Sequence, residues 1–224
     1  MTLVIDVVSD VICPWCYIGK RRLERAVDMA ADRHAFTVAW RPFQLNPAMP
    51  AEGMDRAAYL AAKFGDANGA RDSYRRIESI GAELGIAFRF DRIRRTPNTL
   101  DSHRLIRFGQ RAGRQQETVE ALFEAYFTGG IDLGDRTSLI EIAEGAGCDP
   151  QAVEPYLASD EDRAAVIADD ESARRMGIDG VPSFIFNRAL LLPGAADPET
   201  LLAAFEQVAQ DQPEPARAAQ VGRA

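Results

Sequence analysis

Strand-forming sequence occurs only near the two ends of this 224-residue chain. Residues 3–8 are apolar and β-branched, residues 36–43 alternate between apolar and polar, and residues 182–186 and 189–192 are the remaining strand-like segments. Between residues 46 and 176 this signal almost vanishes, and Ala, Arg, Glu and Leu recur at helical spacing. We therefore predict an α/β fold in which the two ends build one small sheet and a helical block is inserted between them.

The predicted elements divide the chain into four parts. These are a strand–helix–strand unit over residues 1–45, helices over 46–176, a strand–strand–helix unit over 177–210 and a tail, expected to be disordered, over 211–224. Helices are predicted over residues 14–31, 56–64, 70–84, 99–111, 116–127, 135–144, 151–157, 160–176 and 198–210. Asn187-Arg188 is predicted to form a tight hairpin turn, whereas residues 86–93 alternate like a strand but have no evident partner.

Cys13-Pro14-Trp15-Cys16 lies where the first predicted strand gives way to the first predicted helix. With Cys13 at the helix N-cap, Pro14 takes the first helical position, where its missing N–H costs no hydrogen bond. Free backbone amides and the helix dipole then point at Cys13 and favour its thiolate, the form that attacks a disulfide. The spacing predicts thiol–disulfide exchange, with Cys13 as the nucleophile and Cys16, one turn later and more buried, as the resolving thiol.

Residues next to the motif carry secondary predictions. The basic residues within the next two turns are expected to favour the Cys13 thiolate further, and they are Lys20, Arg21 and Arg22. Trp15 is predicted to be exposed, either as an apolar docking surface or as a residue that tunes the loop. Asp10 has two interpretations that stay open, one as an acceptor of the Cys16 proton and one as a cap of the loop or helix.

Asn98 and His103 are further candidates, because the predicted helix that begins near Asn98 also carries His103. One interpretation places them in the cleft above the cysteines, where they bind a carboxylate or the backbone of a substrate. The other makes His103 a core or surface histidine held by its neighbours. The sequence alone leaves both open.

Composition argues against several classes of partner and site. A net charge of −8 argues against nucleic acid as a partner. No run approaches the roughly 20 apolar residues that a membrane span requires, and residues 1–8 have no basic segment of a signal peptide. We expect a cytoplasmic protein, in which a thiol pair is catalytic or metal-binding. We expect no metal site, because Cys148, His34 and His103 are dispersed without paired spacing.

Four separated stretches resemble the FrnE-like branch of the DsbA family of thiol–disulfide oxidoreductases. They are SDVICPWCYIGK at residues 9–20, WRPFQL at 40–45, RTPNTLDSHR at 95–104 and GVP at 180–182. The resemblance covers nearly all of residues 3–210. It implies a thioredoxin fold with a large all-helical domain inserted between its βαβ and ββα halves.

The resemblance also implies that Val181-Pro182 is a cis peptide bond facing the cysteines, with the Val181 backbone free to pair with a bound peptide or thiol. The competing interpretation is that Pro182 only begins a strand. FrnE-like sequences are similar to 2-hydroxychromene-2-carboxylate isomerases and kappa-class glutathione transferases, which usually carry serine at the position of Cys13 and use glutathione as a cofactor. Because this chain has both cysteines, exchange is the leading prediction.

The sequence therefore leaves three alternative functions for this protein. The first is an oxidoreductase that acts on thiol or disulfide substrates and requires no cofactor, with glutathione as one redox partner or ligand. The second is a glutathione-dependent isomerase or transferase of a small aromatic or polyketide-like molecule. The third is a non-enzymatic redox sensor or chaperone-like binding protein. The sequence leaves the direction of exchange, the substrate and the oligomeric state open, with a homodimer among the alternatives.

Overall fold

The computed structural model describes residues 2–65 and 67–211, so most of the tail predicted at 211–224 lies outside the described residues. The strands are β1 (Thr2–Ser9), β2 (Ala35–Pro42), β3 (Met54–Asp55), β4 (Arg95–Thr96), β5 (Ser183–Phe186) and β6 (Leu190–Pro193). The helices are α1 (Pro14–Ala30), α2 (Arg56–Phe64), α3 (Ala67–Glu83), α4 (Leu100–Arg111), α5 (Gln115–Glu124), α6 (Arg136–Gly145), α7 (Pro150–Ala158), α8 (Arg163–Arg175) and α9 (Pro198–Gln210).

The main sheet joins the two ends of the chain, as predicted. Its strand order is β2-β1-β5-β6, with β1 parallel to β2 and antiparallel to β5. The strand β1 is central and buries Leu3, Ile5 and Val7. The helices α1 and α9 pack against each other, and α8 contacts β2. This arrangement confirms the predicted thioredoxin fold with a mostly helical insertion.

The hairpin between β5 and β6 has the predicted turn. Asn187 and Arg188 both have left-handed backbones, with φ values of 49° and 58°, which is the conformation that a type I′ turn requires. The Asn187 side-chain oxygen also accepts a hydrogen bond of 2.8 Å from the backbone of Val4. The turn therefore fixes the hairpin to the central strand.

The insertion departs from the predicted helices in three places. The strands β3 and β4 form a two-residue antiparallel ladder inside the part that was expected to be entirely helical. The ambiguous residues 86–93 form no strand and contain one 3₁₀ turn, Phe90–Arg92. After α5 the chain makes a π turn, Ala125–Gly129, rather than continuing as an α-helix. This π turn is followed by Gly130. An added Cβ at Gly130 would lie 2.6 Å from the Cβ of Arg92, so a larger residue would collide there.

The insertion and the sheet layer share one hydrophobic core. Tyr17 of α1 stacks on Phe123 of α5, with ring centroids 5.0 Å apart and planes 11° apart. Phe127 adds a second stacked contact to Tyr17 at 6.2 Å. At the amino end of α5, the amide of Gln115 exchanges two hydrogen bonds of 3.2 Å with the backbone of Trp40 in β2. The domain boundaries at residues 45 and 176 stay predictions.

Candidate active site

Cys13 occupies the N-cap of α1, and Pro14 is the first helical residue. The chain turns sharply after β1, because the Cys13 backbone N–H donates to the Asp10 carbonyl at 3.0 Å. The next turn brings the Cys16 N–H to the Cys13 carbonyl, also at 3.0 Å. The two sulfurs therefore lie at the amino end of α1, where the backbone has unpaired N–H groups.

Val181 lies opposite Cys13. The peptide bond between Val181 and Pro182 is cis, and the Cys13 thiol donates to the Val181 carbonyl at 3.5 Å. Pro182 approaches α1 at Gly19, where an added Cβ would come within 2.9 Å of the proline ring. Sequence reasoning did not single out Gly19, although an isolated glycine inside a helix signals such a close approach.

Cys16 is fully buried, with 0% of its surface exposed. Burial raises the pKa of the Cys16 thiol well above its ordinary value, and the neighbouring Cys13 raises it further. Hydrogen bonds from the Ser9 side chain and the Asp10 backbone act in the opposite direction without cancelling the effect. Cys16 is therefore a neutral thiol that must lose its proton before it can attack.

The basic residues after the motif are engaged elsewhere, which corrects the expectation that they act on Cys13. Lys20 is buried between Glu24 and Glu120, and its Nζ lies 2.5 Å from Glu120 Oε2. Arg21 binds the same two carboxylates. Arg22 donates to the Ala195 carbonyl. Carboxylates thus offset the nearest two of these charges.

Trp15 is half-buried and packs against the main hydrophobic core, so the prediction that it is exposed is wrong. Its ring forms part of a groove of about 340 Å³ beside Cys13. The same groove is lined from the insertion by α2 and α3, through residues that include Arg56, Tyr59 and Tyr74. A groove of this size suits a small ligand or a short peptide segment.

Asp10 and His103 lie together beneath the turn that carries Cys13. Asp10 is 0% exposed and His103 is 4% exposed. One Asp10 oxygen accepts a hydrogen bond of 2.7 Å from the Leu45 backbone. The other lies 3.4 Å from His103 Nε2, and both of these atoms lack a hydrogen bond within the described residues. His103 is not among the described residues that line the Cys13 groove.

Asn98 also lies away from that groove. Its Nδ2 donates to the Met49 carbonyl at 2.6 Å, and its Oδ1 accepts from the Leu100 backbone at 3.0 Å and from Gln44 Nε2 at 3.3 Å. The amide therefore joins the loop after β2 to the start of α4. Asn98 faces a separate depression that Arg163 and Arg174 also line.

Residues 4–206 match the model of the DSBA-like thioredoxin domain. The chain belongs to the DsbA-like thioredoxin-domain family. A probable DsbA oxidoreductase from Streptomyces coelicolor is 29% identical, with a TM-score of 0.86 over 96% of this chain and 93% of that chain. This DsbA-like protein therefore has the same architecture as the Streptomyces coelicolor structure.

Two more distant structures share the fold. A 2-hydroxychromene-2-carboxylate isomerase is 16% identical, with a TM-score of 0.68 over 92% of this chain and 96% of that one. The cytosolic disulfide reductase DsbM from Pseudomonas aeruginosa, solved with glutathione, is also 16% identical, with a TM-score of 0.64 over 92% and 99%. The similarity to 2-hydroxychromene-2-carboxylate isomerases that the sequence suggested is therefore present at the level of fold.

Among residues 2–65 and 67–211, no three His, Cys, Asp or Glu side chains are grouped so as to hold a metal ion. Over the same residues, no helix is both long enough and apolar enough to cross a bilayer.

Proposed function

We propose that this DsbA-like chain is a thiol–disulfide oxidoreductase, with Cys13 as the nucleophile and Cys16 as the resolving thiol. The arrangement of the two sulfurs carries the proposal. Cys13 lines the groove beside the Val181 carbonyl, whereas Cys16 is sealed beneath it. A substrate sulfur can therefore reach Cys13 but not Cys16, which is the division of roles that exchange through a mixed disulfide requires.

The reaction runs in two balanced steps when the reduced protein meets a disulfide. The Cys13 thiolate attacks one substrate sulfur, the substrate S–S bond breaks, and the first product leaves as a thiolate. Cys16 then loses its proton and attacks Cys13 Sγ, which releases the second thiolate and leaves a Cys13–Cys16 disulfide. The substrate gains two electrons and the protein loses two. The reverse sequence oxidises a dithiol substrate.

Asp10 is the proposed acceptor of the Cys16 proton. Its backbone hydrogen-bonds with the Cys16 sulfur, and one of its buried carboxylate oxygens has no hydrogen bond among the described residues. His103, 3.4 Å from that oxygen, is proposed to hold the carboxylate in position. Asp10→Asn is expected to slow the second step, so that the mixed disulfide on Cys13 accumulates.

The test uses single-turnover reaction of the reduced protein with bis(2-hydroxyethyl) disulfide. Cys13→Ser is expected to abolish the reaction, and Cys16→Ser is expected to stop it at the mixed disulfide. Cys148→Ser serves as the matched control, because Cys148 packs against Thr118 instead of lining the Cys13 groove. A full rate in Cys13→Ser would exclude the proposal.

Glutathione is the small thiol that we propose as a redox partner, with support from the similarity to DsbM. The alternative, a glutathione-dependent isomerase or transferase, needs glutathione to bind without Cys16. Calorimetric titration of Cys16→Ala with glutathione separates the two, because absent binding would count against the alternative.

A non-enzymatic redox sensor is the third alternative. Such a protein would change its elution volume in size-exclusion chromatography between the oxidised and reduced states.

The proposed function also depends on where in the cell the protein is located. A cytoplasmic location is proposed on the likeness to a protein named as a cytosolic disulfide reductase. In that compartment the direction of exchange depends on the reduction potential of the cysteine pair relative to glutathione. Equilibration of the Cys13–Cys16 pair with glutathione buffers measures that potential. Sedimentation of the same samples tests the homodimer.

A further inference from the structure

Arg56 lines the same groove as Cys13 and comes from the helical insertion. It is the first residue of α2 and is half-buried. One terminal nitrogen donates to the Thr96 hydroxyl at 3.1 Å, and the other donates to the Tyr74 hydroxyl at 2.6 Å. The rings of Tyr59 and Tyr74 lie 5.6 and 5.8 Å from the guanidinium carbon. These contacts hold the guanidinium in one place.

All of these contacts are to neutral groups. Within the described residues, no carboxylate lies at ion-pair distance from Arg56, whereas the half-buried Arg21 and Arg107 each bind two. The described lining of the groove contains Arg56 and no Asp or Glu. A guanidinium that is partly removed from water and lacks a counter-ion is a favourable partner for an incoming anion.

The overall charge of the protein makes this groove distinctive. The chain carries a net charge of −8, so its surface as a whole repels anionic molecules. The Arg56 guanidinium in the groove beside Cys13 has the opposite sign. The guanidinium has five N–H donors in a planar fork, and the two hydroxyl partners leave donors free for a carboxylate.

We propose that Arg56 binds a carboxylate of the substrate while a sulfur of the same molecule meets Cys13, so that the protein prefers anionic thiols and disulfides. This preference rests on the proposed exchange reaction. The chemistry is that described above: the Cys13 thiolate forms a bond to one substrate sulfur, the substrate S–S bond breaks, and a carboxylate-bearing thiolate leaves. Arg56 takes no part in the electron transfer and acts by holding the substrate.

The experiment compares two disulfides of nearly the same shape, the dicarboxylate 3,3′-dithiodipropionate and the neutral 3,3′-dithiodipropionamide. Single-turnover rate constants with the reduced protein are divided by the rate constants for free 2-mercaptoethanol, which removes differences in intrinsic reactivity. The wild-type ratio of dicarboxylate to diamide is expected to be about tenfold, the effect of one hydrogen-bonded charge pair. The ratio should fall as salt is added.

Arg56→Gln is expected to bring that ratio close to one, and Arg56→Lys is expected to give an intermediate value because it keeps the charge but loses the fork. Arg25→Gln is the matched control for the loss of one positive charge. Arg25 is exposed on α1, twelve residues after Cys13 and so about 18 Å along the helix axis. It should keep the wild-type ratio. A wild-type ratio near one, or an unchanged ratio in Arg56→Gln, would overturn the proposal.

A binding measurement separates this proposal from the exchange reaction. Cys13→Ser cannot exchange, so calorimetric titration of that variant reads the carboxylate contact alone. It should bind the dicarboxylate several-fold more tightly than the diamide, and the additional change Arg56→Gln should remove the difference. If neither disulfide reacts but this difference persists, the exchange reaction is wrong and the carboxylate site stands. If both react and bind equally, the carboxylate site is wrong.

Discussion

At the scale of single residues, the environments of the three cysteines differ although all three are free. Cys13 lines the groove. Cys16 is fully buried, and burial with the adjacent Cys13 raises the pKa of its thiol. Cys148 is 5% exposed, as is Cys13, but it lies 3.9 Å from the Thr118 hydroxyl in the core and does not line the groove.

Alkylation of the native reduced protein should therefore be selective. Iodoacetamide at neutral pH is expected to modify Cys13 before Cys16 and Cys148, because only Cys13 combines a position in the groove with the amino end of a helix. Peptide mass spectrometry at increasing reaction times measures the three rates. Comparable rates at Cys13 and Cys148 would contradict this prediction, and unfolding in denaturant should make all three react.

Gly19 is a second residue with a specific consequence. A Cβ there would lie 2.9 Å from Pro182 Cγ and 3.2 Å from Phe184 Cζ, so Gly19→Ala has to push the β5 segment away from α1. We expect a loss of about 1–3 kcal/mol in the free energy of unfolding, and slower exchange because Val181 moves relative to Cys13. Urea denaturation and the single-turnover rate measure the two effects.

Gly145→Ala is the control for that experiment. Gly145 ends α6, and an added Cβ would meet no atom within 4 Å. The same change in residue type should therefore leave the rate of exchange unchanged and should not destabilise the fold. Because Ala favours a helix more than Gly does, helix propensity cannot account for a loss of stability, and equal losses in the two variants would show that contact with Pro182 does not explain the effect at Gly19.

At the scale of elements, Glu120 connects α1 to α5. It accepts hydrogen bonds from Tyr17, Lys20 and Arg21, all on α1. Burial by itself would raise the pKa of Glu120, but the hydrogen bonds and charges of these partners outweigh it and hold the pKa below its ordinary value of 4.5. The helix with the redox motif is thereby anchored to the insertion.

The lowered pKa of Glu120 predicts how the free energy of unfolding changes with pH. A carboxyl with a lowered folded-state pKa stabilises the protein above its unfolded pKa, and this contribution is lost as the pH falls through the folded-state pKa. The free energy of unfolding should therefore decrease below about pH 4.5, and Glu120→Gln should make the decrease shallower. Urea denaturation across acidic pH tests this, with exposed Glu141→Gln as the control. Identical slopes for wild type and Glu120→Gln would contradict it.

Many helix ends and turns could be predicted from residues that are close together in the sequence. Asp197 caps α9 by accepting from the Thr200 backbone, and Pro198 follows at the first helical position, so the start of this helix is encoded in neighbouring residues. The turn at Asn187-Arg188 was readable for the same reason. Helix α2 likewise begins and ends at its predicted residues.

The remaining features depend on residues that are far apart in the chain. The ladder of β3 and β4 pairs Met54 with Thr96, and a two-residue strand has no pattern of its own. Lys20 meets Glu120 across 100 residues, so its engagement away from Cys13 was not predictable. The burial of Trp15 and the groove beside it also depend on α2 and α3. The redox motif was thus predictable, whereas its surroundings were not.

At the scale of the whole molecule, the sheet layer and the insertion share a continuous hydrophobic core that includes Leu3, Phe123 and Phe127. We therefore expect one cooperative unfolding transition. Both tryptophans, Trp15 and Trp40, belong to the sheet layer, while most helices belong to the insertion. Tryptophan fluorescence and far-ultraviolet circular dichroism should give coincident melting curves.

Phe123→Ala is the variant that probes this coupling. Phe123 is 0% exposed and stacks on Tyr17, so its removal should cost about 3–5 kcal/mol in the free energy of unfolding. Both curves should shift to lower temperature together. Two separate transitions, in the wild type or in the variant, would show that the insertion and the sheet layer unfold independently.

Gln115 has a further consequence for the molecule in a crowded solution. The outward-facing N–H and carbonyl of Trp40 would otherwise be available to a strand from another molecule, and the Gln115 amide occupies both. Gln116 does the same at the Val38 carbonyl. The opposite edge, β6, is only four residues long and ends at Pro193, which has no N–H to donate. These features disfavour, at both margins of the sheet, the edge-to-edge pairing that begins aggregation.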